Sequence, residues 1–327
     1  MSESRLEYRL RNGLLTLCLT SLILGSLPGI SHARNATSTS TQTTVVTETA
    51  TVTDATAAAP AKEPAQATST PAWPLPAGVS AGPSVEGTHE FTLPNGLKVL
   101  LSPDDAKASV TVNMTYLVGS RHENYGETGM AHLLEHMLFR GTPSLPNALG
   151  EFSKRGLRAN GTTSEDRTNY FASFAADPAL LDWYLRWQAD VMVNATISRK
   201  DLDAEMTVVR NEMEAGENNP FQTVMQKAQA IAYQWHNYGK DTIGARSDVE
   251  NVDIEQLRAF YRQYYQPDNA ILIVSGKFNP AETLATIADA FKDVARPARQ
   301  LPPEYTIEPV QEGERRVVVR RNGGTPW

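Results

Sequence analysis

The chain has 327 residues, 41% of them hydrophobic, with 30 basic against 37 acidic side chains and a net charge of −7. That length and apolar content allow a sizeable core in one or two domains. The acidic balance and the lack of a basic run speak against nucleic acid as a main partner.

In chain order, residues 1–33 read as an export signal. Arg5, Arg9 and Arg11 precede an apolar run from Leu14 towards Leu27, and Ser31-His32-Ala33 sets small residues at a cleavage site. The run is short for a membrane span, which takes about 20 residues. No stable membrane insertion is therefore expected once the signal is removed, and the expected compartment is the periplasm or the exterior. Cys18, the single cysteine, lies within the signal. The mature chain then has no disulfide, and any metal site in it would use His and carboxylate groups. Residues 34–86 are mostly Ala, Thr, Ser and Pro. Such a stretch buries too little apolar surface to offset the entropy of ordering, so it reads as a disordered linker.

Folded sequence is expected over 87–310. Asn95-Gly96 between Phe91-Thr92-Leu93 and Leu97–Leu101 predicts a hairpin. Val110, Val112, Met114, Tyr116 and Val118 alternate as in a strand with one buried face. A glycine-containing loop over 119–129 leads into a helix over 130–139, closed by Gly141 and Pro143. A second helix is expected over 146–155 with Pro146 near its first position, then extended chain over 160–174. Asp177-Pro178 opens another helix, and Ser198 with Asp201 opens a long one carrying Leu202, Met206, Val209 and Met213. Helices are expected over 220–235, 253–264 and 280–294, and strands over 270–276 and 315–320. Strand pairs followed by helix runs predict an α+β fold, an antiparallel or mixed sheet packed with helices.

The chemistry gathers on the helix Met130-Ala131-His132-Leu133-Leu134-Glu135-His136-Met137-Leu138-Phe139. At 100° per residue, Met130, Leu133, Leu134, Met137 and Leu138 form an apolar stripe, and His132, Glu135 and His136 a second stripe nearly opposite. Two imidazoles one turn apart can converge on one ion; here the order is His-x-x-Glu-His, the inverse of His-Glu-x-x-His. Glu135 lies beside them, placed to take a proton from an attacking water and pass it to a leaving amine. An ordinary surface helix shows the same amphipathic pattern, so periodicity alone does not settle the matter. A catalytic zinc usually takes three protein ligands. On the helix from Ser198, Glu205 and Glu212 lie two turns apart on one face, with Glu214 and Glu217 further round.

Leu93-Pro94-Asn95-Gly96-Leu97-Lys98-Val99, Gly119-Ser120-Arg121 and Gly129–Thr142 together resemble the N-terminal domain of the insulinase and pitrilysin metallopeptidases, a family that includes the mitochondrial processing peptidase. The resemblance extends over about residues 88 to 320, through Asn160-Gly161-Thr162-Thr163, Tyr238-Gly239 and Tyr264–Ala270. It implies one zinc ion (Zn2+) per chain, bound by His132, His136 and Glu212, with Glu135 as general base. It makes Glu205 a group that orients a ligand. It also makes Asn160, Gly161 and Thr162 the edge on which a peptide or unfolded polypeptide substrate lies, with Gly161 where the family usually has alanine. The family generally carries a second homologous domain that closes over the substrate. Residues 311–327 resemble the opening of that domain, so a second domain or a partner subunit is expected. The function expected is an exported zinc-dependent endopeptidase. The alternatives are a non-catalytic, partner-dependent peptide-binding subunit and, less well supported by the ligands available, a structural zinc site. His89, His122 and His236 are expected to be surface or loop residues.

Overall fold

The computed structural model describes residues 4–9, 73–303 and 306–321. Most of the expected export signal, and the expected linker up to residue 72, lie outside the described residues. The strand β1 (Ser4–Arg9), within the segment read as the signal, pairs antiparallel with β9 (Arg316–Arg321).

The main sheet has seven strands: β2 (Ser80–Val85), β3 (Thr88–Thr92), β4 (Lys98–Pro103), β5 (Ser109–Tyr116), β6 (Arg158–Thr163), β7 (Thr168–Ala175) and β8 (Ala270–Gly276). Their order is β2-β3-β4-β8-β5-β7-β6. All pairs are antiparallel except β4 with β8, where Lys98 stands opposite Ile271. The β3–β4 hairpin turns where Asn-Gly predicts it. Asn95 accepts the Leu97 N–H, and Gly96 takes φ 98°, a conformation glycine adopts without penalty. One face of the central strands is apolar: Val99 and Leu101, Val110, Val112 and Met114, Tyr170 and Ala172, Leu272 and Val274 are all buried.

The helices are α1 (Met130–Leu138), α2 (Ala148–Lys154), α3 (Pro178–Asn194), α4 (Arg199–Asn218), α5 (Pro220–Ala232), α6 (Arg246–Glu250), α7 (Ile254–Tyr264) and α8 (Pro280–Ala290). The fold is α+β with a mixed sheet. Helix α1 packs on β6 and β7 with α4 and α7 beside it, while α3 packs on β5 and α8. Beyond α8 the chain returns across the end of α5. There the Glu308 carboxylate accepts the backbone N–H groups of Gln234 (2.8 Å), Trp235 (2.8 Å) and His236 (3.0 Å). Arg315 donates to the carbonyls of Ile231 and Ala232. Among the described residues no helix is long and apolar enough to cross a membrane.

Three expectations need correction. Strand β2 lies inside the stretch read as linker. It is an edge strand with no buried side chain of its own, but Val79 just before it is buried and Trp73 packs edge-on against His89. The extended stretch expected over 160–174 is two strands, β6 and β7, joined through Ser164–Arg167, a turn without Gly or Pro to announce it. Helix α2 starts after Asn147, whose side chain accepts the Gly150 N–H, and not at Pro146.

Candidate metal centre

Helix α1 starts in an unusual way. Its N-cap is Gly129 at φ 92°, with no side chain to cap the first turn. The carboxylate of Glu123, six residues upstream, accepts the N–H groups of Gly129 and Ala131, each at 2.8 Å, and supplies the missing cap. Burial pushes the Glu123 carboxyl up to about 7, against the two backbone hydrogen bonds that favour its charged form. Gly129 is required twice over: its φ suits glycine, and a Cβ there would lie 2.7 Å from Val249 Cγ2 and 2.8 Å from the Ile243 carbonyl oxygen. Met130, Leu133, Leu134, Met137 and Leu138 are buried, so the apolar stripe fixes the rotation of the helix. His132, Glu135 and His136 are half-buried on the other side.

Helix α4 meets that side. Ser198 caps it by accepting the Asp201 N–H at 3.1 Å, and Leu202, Val209 and Met213 bury its apolar stripe. Glu205 and Glu212 then face α1. The Nε2 atoms of His132 and His136 are 3.4 Å apart, and Glu212 Oε2 lies 3.6 Å from the first and 3.4 Å from the second. A metal bound tetrahedrally at about 2.0–2.1 Å from such atoms sets neighbouring donors about 3.4 Å apart. The three atoms are thus spaced like the corners of one tetrahedral face, and the donor set of two imidazoles and one carboxylate suits zinc. Among the described residues they are the only group of three or more His, Cys, Asp or Glu side chains so close together. Burial, and then His136, lower the His132 pKa to about 4, keeping its imidazole neutral as a ligand must be. Among the described residues the buried His132 Nδ1 has no hydrogen-bond partner.

Glu205 sits behind His136. Its Oε2 lies 3.2 Å from His136 Nδ1, and Arg140 Nη2 donates to its Oε1 at 2.5 Å. A His136 ring protonated on Nδ1 would donate to Glu205 there and present Nε2 as an acceptor. Glu214 and Glu217 are exposed, and Glu217 pairs with Arg246.

Glu135 points from α1 to β6. Thr163 Oγ1 donates to Glu135 Oε2 at 2.6 Å. Burial raises the Glu135 pKa above the ordinary value, and the Thr163 hydrogen bond opposes the rise. On β6, Gly161 faces Glu135, while Asn160 and Thr162 are exposed and Thr162 donates to Asn169. Thr163 carries no signal of its own in the sequence. The clue to it is the two-residue step from Gly161, which puts both on one face. Of the other three histidines, His89 packs edge-on against Trp73, His122 is half-buried in a loop with its pKa lowered by burial to about 4, and His236 caps a turn by accepting the Tyr238 N–H.

Two family models match in tandem: "Insulinase (Peptidase family M16)" over residues 98–246 and "Peptidase M16 inactive domain" over 251–326. The chain belongs to peptidase family M16. Among its relatives in that family is the zinc protease PqqE of Helicobacter pylori, 34% identical over 243 residues, covering 72% of this chain and 54% of that protein. Another is the mitochondrial-processing peptidase subunit beta of Bos taurus, 30% identical over 204 residues, covering 62% of this chain and 41% of that protein. The crystal structure of the periplasmic protease PqqL from Escherichia coli superposes with a TM-score of 0.63 at 30% identity, over 71% of this chain and 26% of that one. This M16 chain spans about half the length, or less, of the relatives it matches.

Proposed function

We propose that this chain is the zinc-binding part of an exported endopeptidase that hydrolyses peptides or unfolded protein segments. His132, His136 and Glu212 are its zinc ligands, Glu135 is its general base, and Glu205 orients His136. The observation that carries this reading is the spacing of the three donor atoms at 3.4–3.6 Å, with the Glu135 carboxylate beside them. Zinc, when bound there, supplies Lewis acidity, making water nucleophilic near neutral pH and polarising a carbonyl.

Glu135 takes the proton of the attacking water and returns it to the leaving amine. Its raised pKa keeps the proton transferable in both directions. Strand β6 ends the sheet: β7 occupies one side, and the other has no strand among the described residues. An extended peptide adds there as a further strand held by backbone hydrogen bonds, along Asn160, Gly161 and Thr162. Because this chain spans about half the length of its relatives, or less, a second domain of the same family, in this protein or in a partner subunit, completes the chamber. Periplasmic PqqL supports export, as does the basic, then apolar, N-terminal sequence.

The test is Glu135→Gln in the full chain. Cleavage of an unstructured peptide is expected to fall about 10²–10⁴-fold with zinc content unchanged. Equal cleavage by both proteins would remove Glu135 from the role of base. A chain that binds zinc and never cleaves, even together with a second domain of this family, would instead be a peptide-binding subunit.

A further inference from the structure

Helix α1 and strand β6 are fastened to one short piece of chain, Gly119–Glu123. At its far end the Glu123 carboxylate, 2% exposed, accepts the N–H groups of Gly129 and of Ala131, the residue before His132. At its near end Ser120 and Arg121 donate their backbone N–H groups to the carbonyls of Ser164 (3.1 Å) and Glu165 (3.0 Å). Those two residues open the turn that leaves β6 directly after Thr163. Arg121 Nε also lies 2.7 Å from Asp166 Oδ1 in the same turn. The approach is backbone against backbone. A Cβ at Gly119 would fall 2.1 Å from the Ser164 oxygen and 2.5 Å from the Glu165 oxygen, and neither is the tip of a side chain that could swing aside. Gly119 itself is extended, with φ −152°, so space rather than backbone conformation calls for glycine there.

A third element braces the piece between its ends. Asn237 Nδ2 donates to the Arg121 carbonyl at 2.6 Å and to the Glu123 carbonyl at 2.8 Å. Tyr238 donates its hydroxyl to Asp166 at 2.7 Å. His122 alone separates Arg121 from Glu123, so the two anchors have no slack chain between them. Strand β6 needs such a hold, since among the described residues its one neighbour in the sheet is β7. We propose that Gly119–Glu123 is a bracket that sets the distance from the edge of β6 to the donors and base on α1, with Gly119, Glu123 and Asn237 as positioning residues. This rests on the reading that α1 carries zinc ligands and base and that the peptide adds to β6. A misplacement of about 1 Å between reacting groups costs of the order of a hundred-fold in rate, so kcat registers the spacing.

Glu123→Gln, Gly119→Ala and Asn237→Ala are made in the full chain, beside Glu135→Gln. In the zinc-free proteins, amide exchange is followed at both ends of the bracket. Glu123→Gln should speed exchange at Ser120 and Arg121 as well as at Gly129 and Ala131; Gly119→Ala should do the same from the other end, and Asn237→Ala at both, each by about tenfold. With zinc saturating each protein, kcat on an unstructured peptide should fall about ten- to a hundred-fold in each variant, with KM little changed. Combining Glu123→Gln with Asn237→Ala should leave kcat within about threefold of the worse single variant, because both release one bracket, whereas independent defects multiply. Exchange that rises only at the altered end, or kcat losses that multiply, overturns the bracket. If Gly119→Ala does not fold, the other two variants decide. If wild type and Glu135→Gln are equally inactive, the proposed function fails by itself, and exchange at the far end still decides the bracket.

Discussion

At His136 the two ring nitrogens face different partners. Nε2 looks towards His132 and Glu212, and Nδ1 towards Glu205, itself held by Arg140. Removing the outer partner leaves every proposed metal donor in place but frees the ring to turn and to change tautomer. Glu205→Ala should therefore weaken zinc binding about 10–100-fold while the folded state persists; chelator competition and circular dichroism check the two halves of that statement. Thr163 acts on Glu135 with a sign that can be read directly. Its hydroxyl stabilises the carboxylate, so Thr163→Val should raise the Glu135 pKa further above the ordinary glutamate range. Carboxyl-carbon NMR titration of the metal-free protein measures it, and a lowered value would contradict the hydrogen bond. Of these residues, His132 and His136 stand out in the sequence because one turn of helix separates them. Glu123 and Thr163 do not, because their roles depend on where a loop and a hairpin bring them.

At the scale of elements, α1 depends on how it begins. A Cβ at Gly129 meets the Val249 side chain and the Ile243 carbonyl, and φ 92° adds strain for any other residue. Gly129→Ala is expected to cost about 1–3 kcal/mol and, by tilting the helix that carries both histidines, to weaken zinc binding as well. Thermal unfolding with and without zinc tests both effects. The chain that returns after α8 is fastened by Glu308. Three backbone N–H groups, that of His236 foremost, hold its pKa down at about 2. A depressed carboxylate contributes stability that is present above its unfolded value of about 4.3 and is lost as the pH falls through about 2. Glu308→Gln should lower Tm near neutral pH and narrow the gap from wild type in that acid window. It should also speed amide exchange at residues 234–236. The elements that sequence pattern captures best are those with strong local signals: Asn95-Gly96 for the first hairpin, Ala270–Gly276 for a buried strand, Ser198 for the start of α4. Strand β2 escapes because Ser-Ala-Gly-Pro-Ser-Val has no apolar face, and β6 merges with β7 because Ser164–Arg167 lacks Gly and Pro.

At the scale of the whole molecule, a site drawn from two helices couples metal to fold. The proposed donors come from α1 and α4, and α1 also carries much of the packing against β6 and β7. Zinc bound to the native state alone stabilises it by mass action, about 4 kcal/mol at a thousand-fold excess over Kd. Chelation should lower Tm and added zinc restore it, while a protein with both His132 and His136 changed to Asn should respond to neither. The α+β class follows from the order of strand pairs and helix runs. The strand order does not, since nothing local tells β8 to enter between β4 and β5.

That insertion bears on how the protein is made. Strands β4 and β5 leave the ribosome one after the other, yet in the finished sheet they never touch, because β8 lies between them. A nascent chain with its early hairpins formed carries two unsatisfied strand edges, and pairing β4 with β5 is the error closest to hand. Strands β6 and β7 and helices α1 and α4 all precede β8, so every proposed metal donor has been synthesised while the centre of the sheet is still open. Metal captured at that stage would hold α1 to α4 before the last strand arrives, acting as a clamp on an unfinished fold.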